Sequence, residues 1–379
     1  MKISAADKIK SNISLWLFLF INLIFSIKYL SRVTNFAVPI SLGITSFYFL
    51  IFKYQDKLQF FGKQLKIVSM IGFLILCIAS CLIFQNIPVE TLNVDRWSVI
   101  TSFWDNYFAD EYVYFALSHM NNYPGPMPFY YIAALPFYLL GELGYLSIIG
   151  LLAFILLLKV LKKPLQTQTV YFIIIATSPF FLWEIVARSN IFFNSTLILI
   201  SIVYFFKTIE NKNLFWNGII IGLLLSTRNV YAIPYVIVFL FALKNRDISI
   251  KNTIIIGIIA VLTFVATFLP FVIGHFEDFL KMNPFIIQSS YLMPFEYSFG
   301  CIILSFLSFF VVKNRLDVYF YSAVILFITI ALHFVWMSIQ HGMYAAFFNS
   351  KADISYFILC TPFFFFYILS VQKKAKISI

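Results

Sequence analysis

The chain of 379 residues is 61% hydrophobic, 20% aromatic and only 11% charged, with a mean hydropathy of +0.91. Ordinary soluble domains carry roughly 25% charged residues, so that class is excluded; apolar runs of about 20 residues, each enough to cross about 30 Å of hydrocarbon, fill nearly all of the length. A formal charge of +11 would suit a nucleic-acid binder, but the positions of the basic residues exclude that reading too.

Residues 1–85 read as three N-terminal spans, near 13–30, 36–52 and 67–85. The polar lead Met1–Lys10 precedes SNISLWLFLFINLIFSIKYL with no small-residue cleavage site after it, which predicts a retained signal anchor. Cys77 and Cys81 share a helix face at i, i+4. With no His or carboxylate beside them they read as packing residues, as do Cys301 and Cys360.

Residues 86–142 form a large loop on the far side of the third span. Its segment between Glu90 and Pro128 gathers Asp95, Arg96, Asp105, Asp110, Glu111 and His119 in an otherwise apolar chain. A loop held at a membrane face can present carboxylates both to water and to lipid-borne substrates. VDRWSVITSFWDNYF has apolar residues at helical spacing between charges, which predicts an interfacial helix anchored by Trp97 and Trp104. Pro124, Gly125, Pro126 and Pro128 then forbid a continuous helix into the next span. Phe129–Leu140, at about 12 residues too short to cross, predicts a second interfacial helix.

Residues 143–371 read as nine further spans, near 143–160, 169–187, 190–206, 214–227, 229–243, 251–273, 297–312, 317–338 and 354–371, followed by the basic tail 372–379. The expectation is a single all-α membrane domain, 1–379, polytopic, with about 12 transmembrane helices. Both termini then share a side that holds 20 of the 27 basic residues and 5 of the 16 acidic ones, against 7 basic and 11 acidic on the other. The positive-inside rule makes the basic side cytoplasmic, so the surplus is a topogenic signal and nucleic acid is not a partner. No Walker loop, Rossmann glycine pattern, heptad or internal repeat is present, which argues against an ATP-driven pump.

Charged groups at the outer helix ends carry the next signal, because an ionised group at bilayer depth costs about 2.5–3.5 kcal/mol. Glu184 and Arg188 in SPFFLWEIVARSN lie four apart and predict a helical ion pair. Arg228 in GLLLSTRNVYAIP has no acid nearby in sequence and predicts a phosphate-binding group at the junction of two spans. His119, His275, His333 and His341 lack H-x-x-x-H spacing, so no cofactor is expected and a divalent metal is the disfavoured alternative.

These pieces, in this order, resemble the GT-C superfamily of polyprenyl-phosphate-dependent glycosyltransferases, which includes protein mannosyltransferases and lipid A aminoarabinose transferases. The likeness covers residues 94–243. Asp95-Arg96-Trp97 stands for the acidic motif of the first outer loop, and the run from Tyr123 to Tyr131 with Gly141 for the proline-led stretch. SPFFLWEIVARSNIFFNSTLIL stands for the helical hairpin, and the Arg228 junction for the point where Lys is common. The chain departs from the pattern at Arg96, where an acid often follows, and at Asn190 or Asn194, where Asp is common.

The resemblance implies transfer of a sugar from a polyprenyl-phosphate donor to a lipid, glycan or protein hydroxyl on the outer face of the cytoplasmic (inner) membrane, with inversion. Asp95 would be the general base, and Arg228 with Arg188 or Arg96 would hold the donor phosphate. Glu184, Asn190, Asp110, Glu111, His119 and Tyr123 would support them. A flippase or other transporter would instead want polar residues at mid-membrane depth. A polymerase or ligase would want its large outer loop later in the chain, where His275–Glu296 is the only stretch available.

Overall fold

Apolar segments in a bilayer must satisfy every backbone group internally, and helices do this within one segment. The computed structural model describes residues 4–55, 64–210, 213–291 and 295–376, and among these every regular element is helical. Lys2, Asp56, Lys57, Lys63 and Lys212, counted above for orientation, lie outside the described residues.

The helices run α1 Ala5–Leu30, α2 Ala37–Tyr54, α3 Leu65–Asn86, α4 Ser98–Phe108, α5 Pro128–Leu139, α6 Tyr145–Val160, α7 Leu165–Thr177, α8 Pro179–Val186, α9 Ile191–Thr208 and α10 Leu214–Leu225. They continue as α11 Ala232–Lys244, α12 Ile250–Ala266, α13 Leu269–Val272, α14 Phe276–Lys281, α15 Pro284–Tyr291, α16 Phe295–Phe306, α17 Ser308–Val311, α18 Arg315–His341, α19 Met343–Phe347 and α20 Thr361–Lys376. Each expected span contains a helix, but their lengths differ. Among the described residues seven are long and apolar enough to cross a membrane, an eighth is a bent pair, and four are shorter apolar helices of 10–17 residues.

One expected span is not straight. The segment 169–187 breaks at Ser178 into α7 and α8, which meet at 62°. Pro179 opens α8 and has no N–H to continue the ladder of α7, so the chain turns there.

Close packing of two helix pairs depends on glycines. A Cβ at Gly222 of α10 would stand 2.4 Å from Ala260 O of α12, and one at Gly150 of α6 would stand 2.8 Å from Phe193 Cα of α9. Only hydrogen at these positions lets the helix backbones approach. The core centres on α20, whose Phe363, Phe364 and Phe365 are fully buried against α1, α6, α7, α9 and α18.

A second apolar cluster fixes the outer loop. Ile100, Phe103 and Trp104 of α4 pack on Tyr130 and Tyr131 of α5 and on Phe271, with Phe103 stacked on Tyr131 at 3.7 Å. Trp104 is therefore not a membrane anchor. It is 3% exposed and its Nε1 donates to Tyr131 O at 3.2 Å, because the apolar face of α4 finds α5 rather than lipid. Pro128 at the first turn of α5 and Gly141, at φ +79°, after its last turn set the limits of that short helix.

Ion pairs among the described residues gather at the two ends that the charge count separates. Lys10 with Asp317, and Arg315 with Glu210 and Asp247, gather at one end. Arg96 with Asp353, Arg188 with Glu142, and Asp278 with Lys281 and His275 gather at the other.

Candidate functional site

Asp95 precedes α4 and is held by both neighbouring segments. Its Oδ2 accepts from Asn122 Nδ2 at 2.7 Å and Ser118 Oγ at 3.1 Å, and no described residue bonds to Oδ1. The tight turn Ser118–Asn122, with Asn121 at φ +59°, brings both donors to one oxygen. His119 fastens that turn. Its Nε2 must donate to the Leu92 carbonyl, at 3.0 Å, which leaves Nδ1 to accept from Ser98 Oγ at 2.7 Å, and the ring stacks on Trp97.

Arg228 sits where α10 ends. Ser226 Oγ pairs with Thr267 Oγ1 at 2.6 Å, so the glycine-mediated approach of α12 fixes this turn. The turn in turn receives the proline-led stretch: Met127 N donates to Thr227 O at 3.2 Å, and Phe129 N to Ser226 Oγ at 3.2 Å. Asn229 donates to Gln288, which donates to Gly125 O at 2.6 Å. Backbone contacts between the stretch and the junction thus carry Arg228 to the Asp95 loop. The Arg228 guanidinium lies over the rings of Tyr130 and Tyr356 at 5.1 and 5.3 Å. The residue is 7% exposed, and its buried Nε and Nη2 have no hydrogen-bond partner among the described residues.

Between them opens a cavity of about 540 Å³ lined by Asp95, Arg96, Asn122, Tyr123, Tyr130, Arg228, Lys28, Lys351, Asp353 and Tyr356, among others. Arg96 is held by Asp353, by Ser355 Oγ at 3.0 Å and by the Tyr356 ring at 4.6 Å. Burial opposes the charge on Arg96, yet Tyr356 and Asp353 outweigh it and raise its pKa. Burial likewise opposes the charge on Asp353, and Arg96 beside it outweighs that and lowers its pKa. For Arg228 burial again works against ionisation, while Tyr356 and Tyr130 raise its pKa. All three groups are charged near neutral pH.

A second, apolar cavity of about 510 Å³ adjoins the first. Phe264, Phe285, Phe299, Ile302, Ile330 and Leu359 line it, and Arg228, His333 and Tyr356 belong to both. A polar chamber with two carboxylates and four cations therefore meets a greasy one at a buried guanidinium with unused donors. Such a junction can bind an amphiphile with an anionic head.

Asp95, Arg96, Arg228 and Tyr123, all named from the sequence, line this one cavity. His119 stands behind Asp95 in the turn already described, and the other named residues lie elsewhere. Arg188 does not pair with Glu184, because α8 stops at Val186 and Arg188 itself takes φ +49°. It caps α3, donating to the carbonyls of Phe84 at 3.3 Å and Ile87 at 3.0 Å, and pairs with Glu142. Glu184 is fully buried and its Oε1 accepts from Phe192 N at the start of α9 at 2.6 Å. Asn190 and Asn194 are buried in the same hairpin, and the Asn194 amide donates to Asn190 O. Asp110 and Glu111 are exposed beyond α4, outside the cavity lining.

Lys28, Lys351, Asp353 and Tyr356 were not anticipated. They arrive from α1 and from the segment before α20, and their signal was the count of seven outer cations, four of which line this one cavity. Among the described residues no three His, Cys, Asp or Glu side chains gather to hold a metal ion. Comparison with known proteins gives no match, whether to family models, to curated proteins or to solved structures.

Proposed function

We propose that the chain is a GT-C-type glycosyltransferase that moves a sugar from a polyprenyl-phosphate donor to an acceptor hydroxyl. All twelve apolar segments cross the cytoplasmic membrane in this reading, both termini are cytoplasmic, and the cavity opens outward. The observation that carries it is the place of Arg228, a buried cation whose Nε and Nη2 have no hydrogen-bond partner among the described residues, where a polar chamber joins an apolar one. A prenyl phosphate has that same division, with a charged head and a hydrocarbon tail.

The chemistry follows from the cavity. Asp95, steadied through Oδ2, takes the acceptor's hydroxyl proton on Oδ1 as that oxygen forms a bond to the anomeric carbon. The bond from the anomeric carbon to the phosphate oxygen breaks, its electron pair leaves with the phosphate, and the configuration inverts. Arg228 stabilises the charge that develops on that phosphate, a contribution of about 3–4 kcal/mol for a well-placed donor. Arg96 is held by Asp353 and shapes the chamber between them.

Purified protein in vesicles supplied with polyprenyl-phosphate hexoses should release free polyprenyl phosphate. No release with any hexose or acceptor fraction would remove the transferase reading. For orientation, single cysteines at positions 121 and 349 should react with an impermeant thiol reagent from outside, and one at 162 should not. Labelling at 162 from outside would place the cavity on the wrong face.

A further inference from the structure

Lys28 lies in the last turn of α1 and is 1% exposed, yet it lines the polar cavity. Its ammonium makes no hydrogen bond or ion pair with any described residue, and it stands 5.8 Å over the Phe347 ring. Asp353 is the carboxylate whose field reaches it, but Asp353 is paired with Arg96. A lysine at a helix end ordinarily snorkels to water. This one is instead held inside, facing a chamber, with its donors unused.

A row of contacts separates it from the donor's place. Arg228 lies on the Tyr356 ring, Arg96 lies on the same ring, Arg96 pairs with Asp353, and only then comes Lys28. One phosphate at Arg228 leaves Lys28 without an anion. Lys351, exposed and on the same lining, adds a second cation.

We propose that Lys28 is a second anion site, for a phosphate or carboxylate group on the acceptor, so that this protein glycosylates an anionic molecule. The proposal rests on the transferase reading for the word acceptor, but the anion site itself does not. Lys28 would act by charge-assisted hydrogen bonds, and Lys351 would guide the anion inward.

The test is equilibrium dialysis of radiolabelled inorganic phosphate and of glucuronate against the full-length protein saturated with farnesyl phosphate. At least one should bind alongside the lipid. Lys28→Met should weaken that binding about ten- to hundredfold, and Lys28→Arg should restore most of it. Phosphate binding alone assigns a phosphorylated acceptor, and glucuronate binding alone a carboxylated one. Displacement of the anion by farnesyl phosphate, or full binding in Lys28→Met, overturns the proposal. So does a Lys28-dependent preference for farnesyl diphosphate over farnesyl phosphate, which would give the second charge to the donor. Should Lys28→Met fail to fold, Lys28→Gln read by the same dialysis decides the matter. If farnesyl phosphate fails to bind through Arg228 while phosphate still binds through Lys28, the transferase reading falls and the anion site stands.

Discussion

The two ends of the molecule treat their cations differently. At the end that the charge count makes cytoplasmic, Lys10 meets Asp317 at 2.6 Å, Arg315 meets Glu210 and Asp247, Lys163 meets Leu369 O, and Lys244 meets Phe309 O. Each is satisfied by an acid or by a backbone carbonyl. At the outer end Arg188 follows the same rule. Arg228 leaves its buried Nε and Nη2 without a partner among the described residues, and Lys28, 1% exposed, turns its ammonium to the cavity without an acid or carbonyl of its own. A buried polar group left without a partner costs about 1–3 kcal/mol, more when charged, so a fold retains one where a ligand completes it. In the proposed function the unsatisfied cations hold the ligand's charge, and most of the satisfied ones serve the fold.

Substitutions should separate these two groups, beginning with the reacting carboxylate. Asp95→Asn keeps the bonds to Ser118 and Asn122 available in size but removes the basic oxygen. It should lower transfer by about 10²–10⁴-fold while the protein accumulates normally. Asp105→Asn and Glu111→Gln, outside the cavity, should leave transfer within about twofold in the same vesicle assay. Near-zero transfer in either of those, with activity kept in Asp95→Asn, would move the base.

Arg228→Ala should cost about 10²–10³-fold in transfer, and Arg228→Lys should keep part of it, since an ammonium still offers charge without the planar fork. Arg188→Ala should show the opposite pattern. It should lower the midpoint of thermal unfolding in detergent, because three carbonyls at the end of α3 lose a charged donor, while the affinity for farnesyl phosphate stays unchanged. A loss of lipid affinity in Arg188→Ala without destabilisation would put it back beside the donor.

The smallest effect concerns the paired cation inside the site. Asp353 has its pKa lowered in the folded protein, with Arg96 outweighing burial. A depressed carboxylate contributes stability above its ordinary value of about 4 and loses it as pH falls through the lower folded value. Melting temperature measured from pH 6 downward should therefore fall in wild type, and fall less steeply in Asp353→Asn. Equal slopes would mean that the Arg96–Asp353 pair does not contribute.

Much of this was legible in the residues, for reasons that also explain the gaps. Hydropathy placed the helices, because an apolar run of that length has one way to satisfy its backbone. The prolines before Phe129 located α5, and the isolation of Arg228 in sequence pointed to a cation without an acid. The Ser178–Pro179 break was equally visible yet was read through, since hydropathy does not register a missing N–H. Glu184 and Arg188 were paired on the premise that their helix continues, and it ends between them. Lys28 and Asp353 carry no local signal. They enter the site because α1 and α20 pack together, a contact made across more than 300 residues of chain, which no spacing rule encodes.

The central claim is that Arg228 holds an anionic head where its tail enters the apolar cavity, and one comparison tests it directly. Farnesyl phosphate and farnesol should be titrated against wild type and Arg228→Met in detergent-free nanodiscs. Farnesyl phosphate affinity should fall about tenfold or more in the variant, with farnesol binding unchanged. Equal farnesyl phosphate affinity in the two proteins would contradict it.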